Sequence, residues 1–218
     1  MLDPDHFPED IREFSLTGPA GQLECLSDMP EAGTAVPASV VLCHPHPLHG
    51  GTMRNKVVTI MERSFRELGL ATVRFNYRGV GESEGSFDDG NGETDDLLTV
   101  VKWLRTVQPD TDLWFGGFSF GAYITLRAAQ DLPVRQLLSI APPVERYGFE
   151  DLHPPNCPWL VVQGDEDEVV SAEAVERWAD QLDQPPDLVM MEGAGHFFHR
   201  RLMDLRGLIK NHVQANLP

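Results

Sequence analysis

Leu113-Trp114-Phe115-Gly116-Gly117-Phe118-Ser119-Phe120-Gly121 is the stretch from which the rest of the chain can be read. Its first residues are apolar and aromatic, as in a buried strand. Gly117 to Gly121 then fit the pattern G-x-S-x-G, and an amphipathic run follows at once from Ala122 to Ala129. An ordinary glycine-rich turn carries the same glycines. A strand before the pattern and a helix after it make it instead a nucleophile elbow, with a strained serine at the strand tip. The glycines on either side of Ser119 let two backbones approach where a Cβ would not fit. The helix N-terminus beneath the serine offers a backbone N–H and a partial positive charge to a developing oxyanion.

Working outward, strands and helices alternate. Ser39–Cys43, Ala71–Tyr77, Arg135–Ile140, Pro158–Gly164 and Asp187–Met191 are short apolar runs expected to be strands. Helices are expected over about 55–68, from the acid-rich turn at Glu93, Asp95 and Asp96 to Thr106, over 171–182, and over about 199–213. The three acids suit a helix N-terminus, where they offset the dipole. Before residue 39, Ile11–Leu16 and Gln22–Leu26 read as one antiparallel hairpin turning at Gly18-Pro19-Ala20-Gly21, at the sheet edge. This order predicts an α/β fold, a mostly parallel sheet covered on both faces, in a single domain over residues 1–218.

Composition narrows the partners. The chain has 34 acidic and 17 basic residues, a formal charge of −17, which disfavours nucleic acid and anionic membrane as partners. Met1–His6 lacks the pattern of a signal peptide, and no apolar run is long enough to span a bilayer. Three cysteines, Cys25, Cys43 and Cys157, widely spaced and without CxxC, argue against a disulfide framework and for a reducing, cytoplasmic setting.

In a sheet of this kind ligands bind at the carboxyl ends of the strands. A serine hydroxyl needs a base within reach, and the base needs an acid to orient it. The strand after the elbow region delivers Gly164-Asp165-Glu166-Asp167-Glu168-Val169-Val170, and the next delivers Glu192-Gly193-Ala194-Gly195-His196-Phe197-Phe198-His199. Acid and histidine therefore fall at consecutive strand ends, and Ser, Asp and His come in the chain order of one fold.

On these residues the chain resembles the α/β-hydrolase superfamily from about residue 11 to 215. Cys43-His44-Pro45-His46-Pro47-Leu48-His49-Gly50-Gly51-Thr52-Met53 and Asn76–Gly85 resemble a group of small bacterial members without a lid. The resemblance implies Ser119 as nucleophile, His196 as base and Asp167 as its orienter. Asp165 is the rival acid; the superfamily pattern, with the acid three residues after a glycine and ahead of a hydrophobic pair, implies Asp167, after Gly164 and before Val169-Val170. His199 is the rival base, expected one turn into the last helix.

The oxyanion hole would use backbone N–H groups of Phe120 and of His46 or Leu48, since Pro45 and Pro47 have none to give; alignment with the family motif favours His46. Leu48, Arg78 and Tyr147, with Phe149 and Trp159, are candidates to line the pocket. A loop-bracing ion pair is the other reading of Arg78 and Glu82, core packing that of the aromatic residues. His44, His46 and His49 are read as loop residues rather than a metal site, with His44 a hydrogen-bonding brace, and no cofactor is expected.

About fifteen residues separate the strand ending near Pro143 from the next, too few for a helical cap. An open, shallow site follows, suited to a small ester or thioester or to an exposed ester on a larger molecule, with hydrolysis of short acyl esters as the expected reaction. An acyltransferase or peptidase on the same triad, or a non-catalytic binding module, are the alternatives. Oligomeric state is not legible.

Overall fold

The computed structural model describes residues 7–8 and 11–218; Met1–His6, read above for a leader, lies outside them. The strands are β1 (Arg12–Gly18), β2 (Gly21–Asp28), β3 (Ala38–Cys43), β4 (Ala71–Phe75), β5 (Asp112–Phe118), β6 (Gln136–Ile140), β7 (Trp159–Gly164) and β8 (Asp187–Met191). The helices are α1 (Lys56–Glu67), α2 (Asn91–Val107), α3 (Phe120–Ala128), α4 (Ala172–Asp180) and α5 (Leu202–Val213). One sheet holds all eight strands in the order β1-β2-β4-β3-β5-β6-β7-β8. The β1–β2 and β2–β4 pairs are antiparallel and the rest parallel. This is the α/β-hydrolase fold, with the hairpin β1–β2 at the sheet edge as expected.

The continuous apolar runs exist because the central strands are buried on both faces. Every residue of β3, β4, β6 and β7 is buried. Successive side chains then supply alternate cores. Val41 and Cys43 join one with Phe115 and Val161; Val40 and Leu42 join the other with Trp114 and Val162. Helices α2, α3 and α4 cover the first through residues such as Val100, Ile124 and Val175. Helices α1 and α5 cover the second through Val58, Met61, Phe65, Leu205 and Ile209.

Residues 141–158 join β6 to β7 with one short 3-10 turn, Phe149–Asp151, so no helical cap is inserted. No helix among the described residues is long and apolar enough to cross a membrane.

Two boundaries and the role of one acid differ from expectation. β4 ends at Phe75: the Asn76 N–H still reaches the Glu24 carbonyl of β2, but the Tyr77 N–H leaves the sheet for the His44 ring. Helix α5 begins at Leu202 rather than 199; Phe198 and Arg200 have φ of 51° and 64°, which no helix accommodates. Asp96 does not serve the α2 dipole: it is buried and paired with Arg78, while Glu93 accepts hydrogen bonds from the Asp88 and Gly90 N–H groups at the helix start.

Candidate active site

The serine stands where β5 becomes α3, with φ 53° and ψ −119°. A non-glycine residue in that region stores about 1–3 kcal/mol and persists only where its surroundings enforce it. Here they do. The Ser119 N–H donates to the Ile140 carbonyl at 2.8 Å, tying the turn to β6. A Cβ on Gly117 would lie 2.2 Å from the Gly121 oxygen, and one on Gly121 would lie 2.4 Å from the Cys43 oxygen. Both glycines are therefore required by packing. The second contact also seats the first turn of α3 against the end of β3, beside the histidine-rich loop.

The structure brings Ser119, His196 and Asp167 into one chain of hydrogen bonds. Ser119 Oγ is 3.1 Å from His196 Nε2, and His196 Nδ1 is 2.8 Å from Asp167 Oδ2. With the carboxylate accepting, Nδ1 carries the proton and Nε2 faces the serine as acceptor. His196 is 3 % exposed and Ser119 9 %.

Asp167 is saturated with donors. Oδ1 accepts from the Val169 and Val170 N–H groups at 2.8 Å each; Oδ2 accepts from His196 and from Gln163 Nε2 at 3.0 Å. Burial pushes its pKa up, but the bond to His196 and those two backbone donors outweigh it, so the carboxyl is held below its usual range. Asp165 instead accepts from the Gly193 N–H at 2.7 Å, bracing the histidine loop from outside. His199 has no part in the chain of bonds.

Two supports escaped sequence reading. Glu168 Oε2 accepts the His196 backbone N–H at 3.1 Å, and Gln163, the buried penultimate residue of β7, orients Asp167. Glu168 sits in an acid-rich run that reads as a solvated loop. A polar residue inside an otherwise apolar strand was the available signal for Gln163.

On the other side of the serine, the loop after β3 is locked by its own side chains. His44 is fully buried: its Nδ1–H donates to the Pro45 carbonyl at 2.7 Å and its Nε2 accepts the Tyr77 N–H at 3.1 Å. Burial pushes its pKa down to about 3, against the smaller opposing effect of the Pro45 carbonyl. His46 Nδ1 accepts the Leu48 N–H at 3.2 Å. That leaves Leu48 without a free donor for an oxyanion. Both nitrogens of His44 are spent, and among the described residues no group of three or more His, Cys, Asp or Glu side chains could hold a metal.

A cavity of about 300 Å³ opens over Ser119 and His196. Its walls are Pro45, His46, His49, Gly50, Gly51 and Asn55 on one side, Pro143, Arg146 and Tyr147 on another, and Val169, Val170 and Phe197 on the third. Tyr147 takes the lining position expected of it. Leu48 does not: it is 68 % exposed, carried outward by the 3-10 turn Pro47–His49. Arg78 does not either. Its guanidinium is committed to the buried Asp96 through Nε and Nη2, at distances down to 2.8 Å, so the ion pair forms with Asp96 rather than Glu82. Phe149 is core, against Tyr123 and Trp178. Trp159 stands at the amino end of β7, far from the strand ends that hold the site, and donates to Ser139 Oγ.

A serine on a strand-to-helix turn, with an acid and a histidine at the ends of later parallel strands, defines an α/β hydrolase without a lid. The chain belongs to that family: the model of the alpha/beta hydrolase domain matches residues 37–215. It is similar to a lidless a/b serine hydrolase of Xanthomonas campestris, with 49 % identity, a TM-score of 0.95 and 98 % of each chain covered. An alpha-beta serine hydrolase homologue from Coxiella burnetii is 48 % identical with a TM-score of 0.92, over 95 % of this chain and 99 % of that one. An uncharacterized protein of Rickettsia prowazekii is 34 % identical over 94 % of this chain and 90 % of its own.

Proposed function

We propose that this α/β serine hydrolase cleaves small carboxylic esters through an acyl-enzyme on Ser119. The observation that carries the reading is the unbroken chain Ser119–His196–Asp167, opening onto a cavity of only about 300 Å³. That volume is at the lower end for ligand sites and suits an acyl group of about two to four carbons.

As Ser119 Oγ attacks the ester carbonyl, His196 Nε2 takes its proton, and Asp167 stabilises the imidazolium that results. The carbonyl oxygen, now negative, receives hydrogen bonds from the backbone N–H of Phe120 and of His46. His46 is favoured over Leu48 because the Leu48 N–H is already given to the His46 ring. Each such donor contributes about 3 kcal/mol to the transition state. When the tetrahedral intermediate collapses, the C–O bond breaks and the alkoxide leaves with the proton from His196. Water then enters, loses a proton to His196, and adds to the acyl carbon. Collapse releases the carboxylic acid and returns the proton to Ser119. The sum is ester plus water to acid plus alcohol, and none of these steps calls on a cofactor. The open mouth suits a small molecule in aqueous solution, in keeping with a cytoplasmic enzyme.

Hydrolysis of p-nitrophenyl esters of graded chain length tests the reading, wild type beside Ser119→Ala. Activity should peak at about two to four carbons and fall on the order of a million-fold in the folded variant. A peak at long chains would break the short-acyl part. Labelling of Ser119 by a fluorophosphonate with no ester turnover would move the reading to acyl transfer or peptide cleavage.

A further inference from the structure

The cavity wall differs in charge from the protein around it. Acidic residues outnumber basic ones by 34 to 17, yet among the described residues no aspartate or glutamate lines the cavity, whereas Arg146 does. Arg146 lies in the connection between β6 and β7, where its N–H donates to the Pro143 carbonyl at 2.9 Å. The next two residues, Tyr147 and Gly148, have positive φ and turn the chain back toward α3. Arg146 has no ion-pair partner among the described residues.

Its charge is nonetheless felt at the Tyr147 hydroxyl and at the His46 ring, and all three residues line the same cavity. Asp89 acts on the same two groups from outside the lining. Tyr147 is neutral, its pKa raised chiefly by burial, and its hydroxyl can donate. A guanidinium fork beside a phenol is a donor set matched to a carboxylate. Asp167 and Glu168 stand behind His196, each already hydrogen-bonded to it and outside the lining, while exposed acids farther than about 8 Å are screened by salt under physiological conditions.

We propose that the preferred ester carries a carboxylate, bound by Arg146 with the Tyr147 hydroxyl beside it, while Val169, Val170 and Phe197 hold the apolar part. This rests on the esterase reading above. The carboxylate has two sources: the acyl group, as in the half-ester of a short dicarboxylic acid, or the alcohol, as in the ester of a hydroxy acid.

Two substrate pairs separate the sources. Monoethyl succinate against ethyl pentanoate, followed by proton release, reads the acyl side. 4-Carboxyphenyl butyrate against 4-carbamoylphenyl butyrate reads the alcohol side. In wild type, one pair should favour the charged member in kcat/KM by about tenfold to a hundredfold, the range of a charge-assisted bond to arginine. The ratio should collapse toward one in Arg146→Ala, be partly kept in Arg146→Lys, and invert in Arg146→Glu. Circular dichroism checks that each variant folds. The proposal is overturned if both pairs favour the neutral member, or if a preference survives Arg146→Ala. Neutral esters cleaved without any charge preference would sink this inference and leave the esterase reading standing. No ester cleaved and no fluorophosphonate on Ser119 would sink both.

Discussion

Two loops at the carboxyl edge of the sheet each bury a histidine, and the two imidazoles have been given opposite work. In the loop after β3, His44 lies between a backbone carbonyl and a backbone N–H, at Pro45 and Tyr77. In the loop after β8, His196 lies between a carboxylate and a hydroxyl, at Asp167 and Ser119. Burial is nearly the same, 0 % and 3 % exposed. The partners differ. A buried imidazole facing only amide groups has nothing to offset a positive charge, so it stays neutral and holds shape. One that faces a carboxylate can take a proton during a reaction and return it. Depth does not decide which histidine is chemical; the charge of the neighbour does.

The widest gap between the loops should appear in turnover. On the mechanism proposed above, His196→Ala removes the base and should lower kcat on the order of a million-fold, as in a worked triad where serine or histidine alone was removed. Its denaturation midpoint should change far less than its rate. If His196→Ala retained more than about a thousandth of wild-type kcat, the comparison would break, since His196 would then be no more chemical than His44.

The carboxylate can be removed while the histidine is kept. Asp167→Asn preserves shape but presents an amide N–H to Nδ1, forcing the imidazole into the tautomer that cannot accept from Ser119. A drop of about 10⁴ in kcat is expected, as for the matching change in a worked triad. Gln163 makes the variant tolerable: its Oε1 has no partner in the described structure and can turn to accept from the new amide. Asp165→Asn, which only weakens a bond to the Gly193 N–H, should leave kcat within about threefold. Steady-state kinetics on one p-nitrophenyl ester compares all three. Equal losses in the two asparagine variants would show that general negative charge, rather than the Asp167 contact, sets His196 apart.

What could be read without coordinates follows the same division between regular and irregular chain. Strands β3, β5 and β7 announce themselves as apolar runs because both faces are buried, and their ends place the His44 loop, Ser119 and Asp167 in that order. The pocket wall is another matter. Arg146 sits in an irregular connection with no period to mark which way a side chain points. Arg78 follows a strand end as a site residue would, but its acid is Asp96, on a helix whose other acids look like ordinary dipole partners. Leu48 lies in the motif loop, yet a 3-10 turn carries it outward. Direction alone excludes Trp159, since ligands gather at carboxyl ends and it opens its strand.

The smallest effect isolates the structural member of the pair. His44 folds with a pKa of about 3, against about 6.5 when unfolded. Between those values the unfolded chain binds a proton that the folded protein refuses. Stability from this residue is thus complete above about pH 6.5 and is lost as pH falls, at about 1.4 kcal/mol per unit. From pH 6.5 to 5 the loss is about 2 kcal/mol. His44→Gln cannot titrate and should lack that slope, though it starts about 1–3 kcal/mol lower at pH 7 if its amide pairs less well with Pro45 and Tyr77. Urea denaturation of both proteins at pH 7 and pH 5 measures the difference, and the other histidines cancel between them. Parallel losses would mean that His44 accepts a proton while folded, and backbone partners would then not suffice to keep a buried imidazole neutral. A wild-type excess of about 2 kcal/mol, with the variant still turning over ester at pH 7, would place the two histidines on separate axes, one of stability and one of rate.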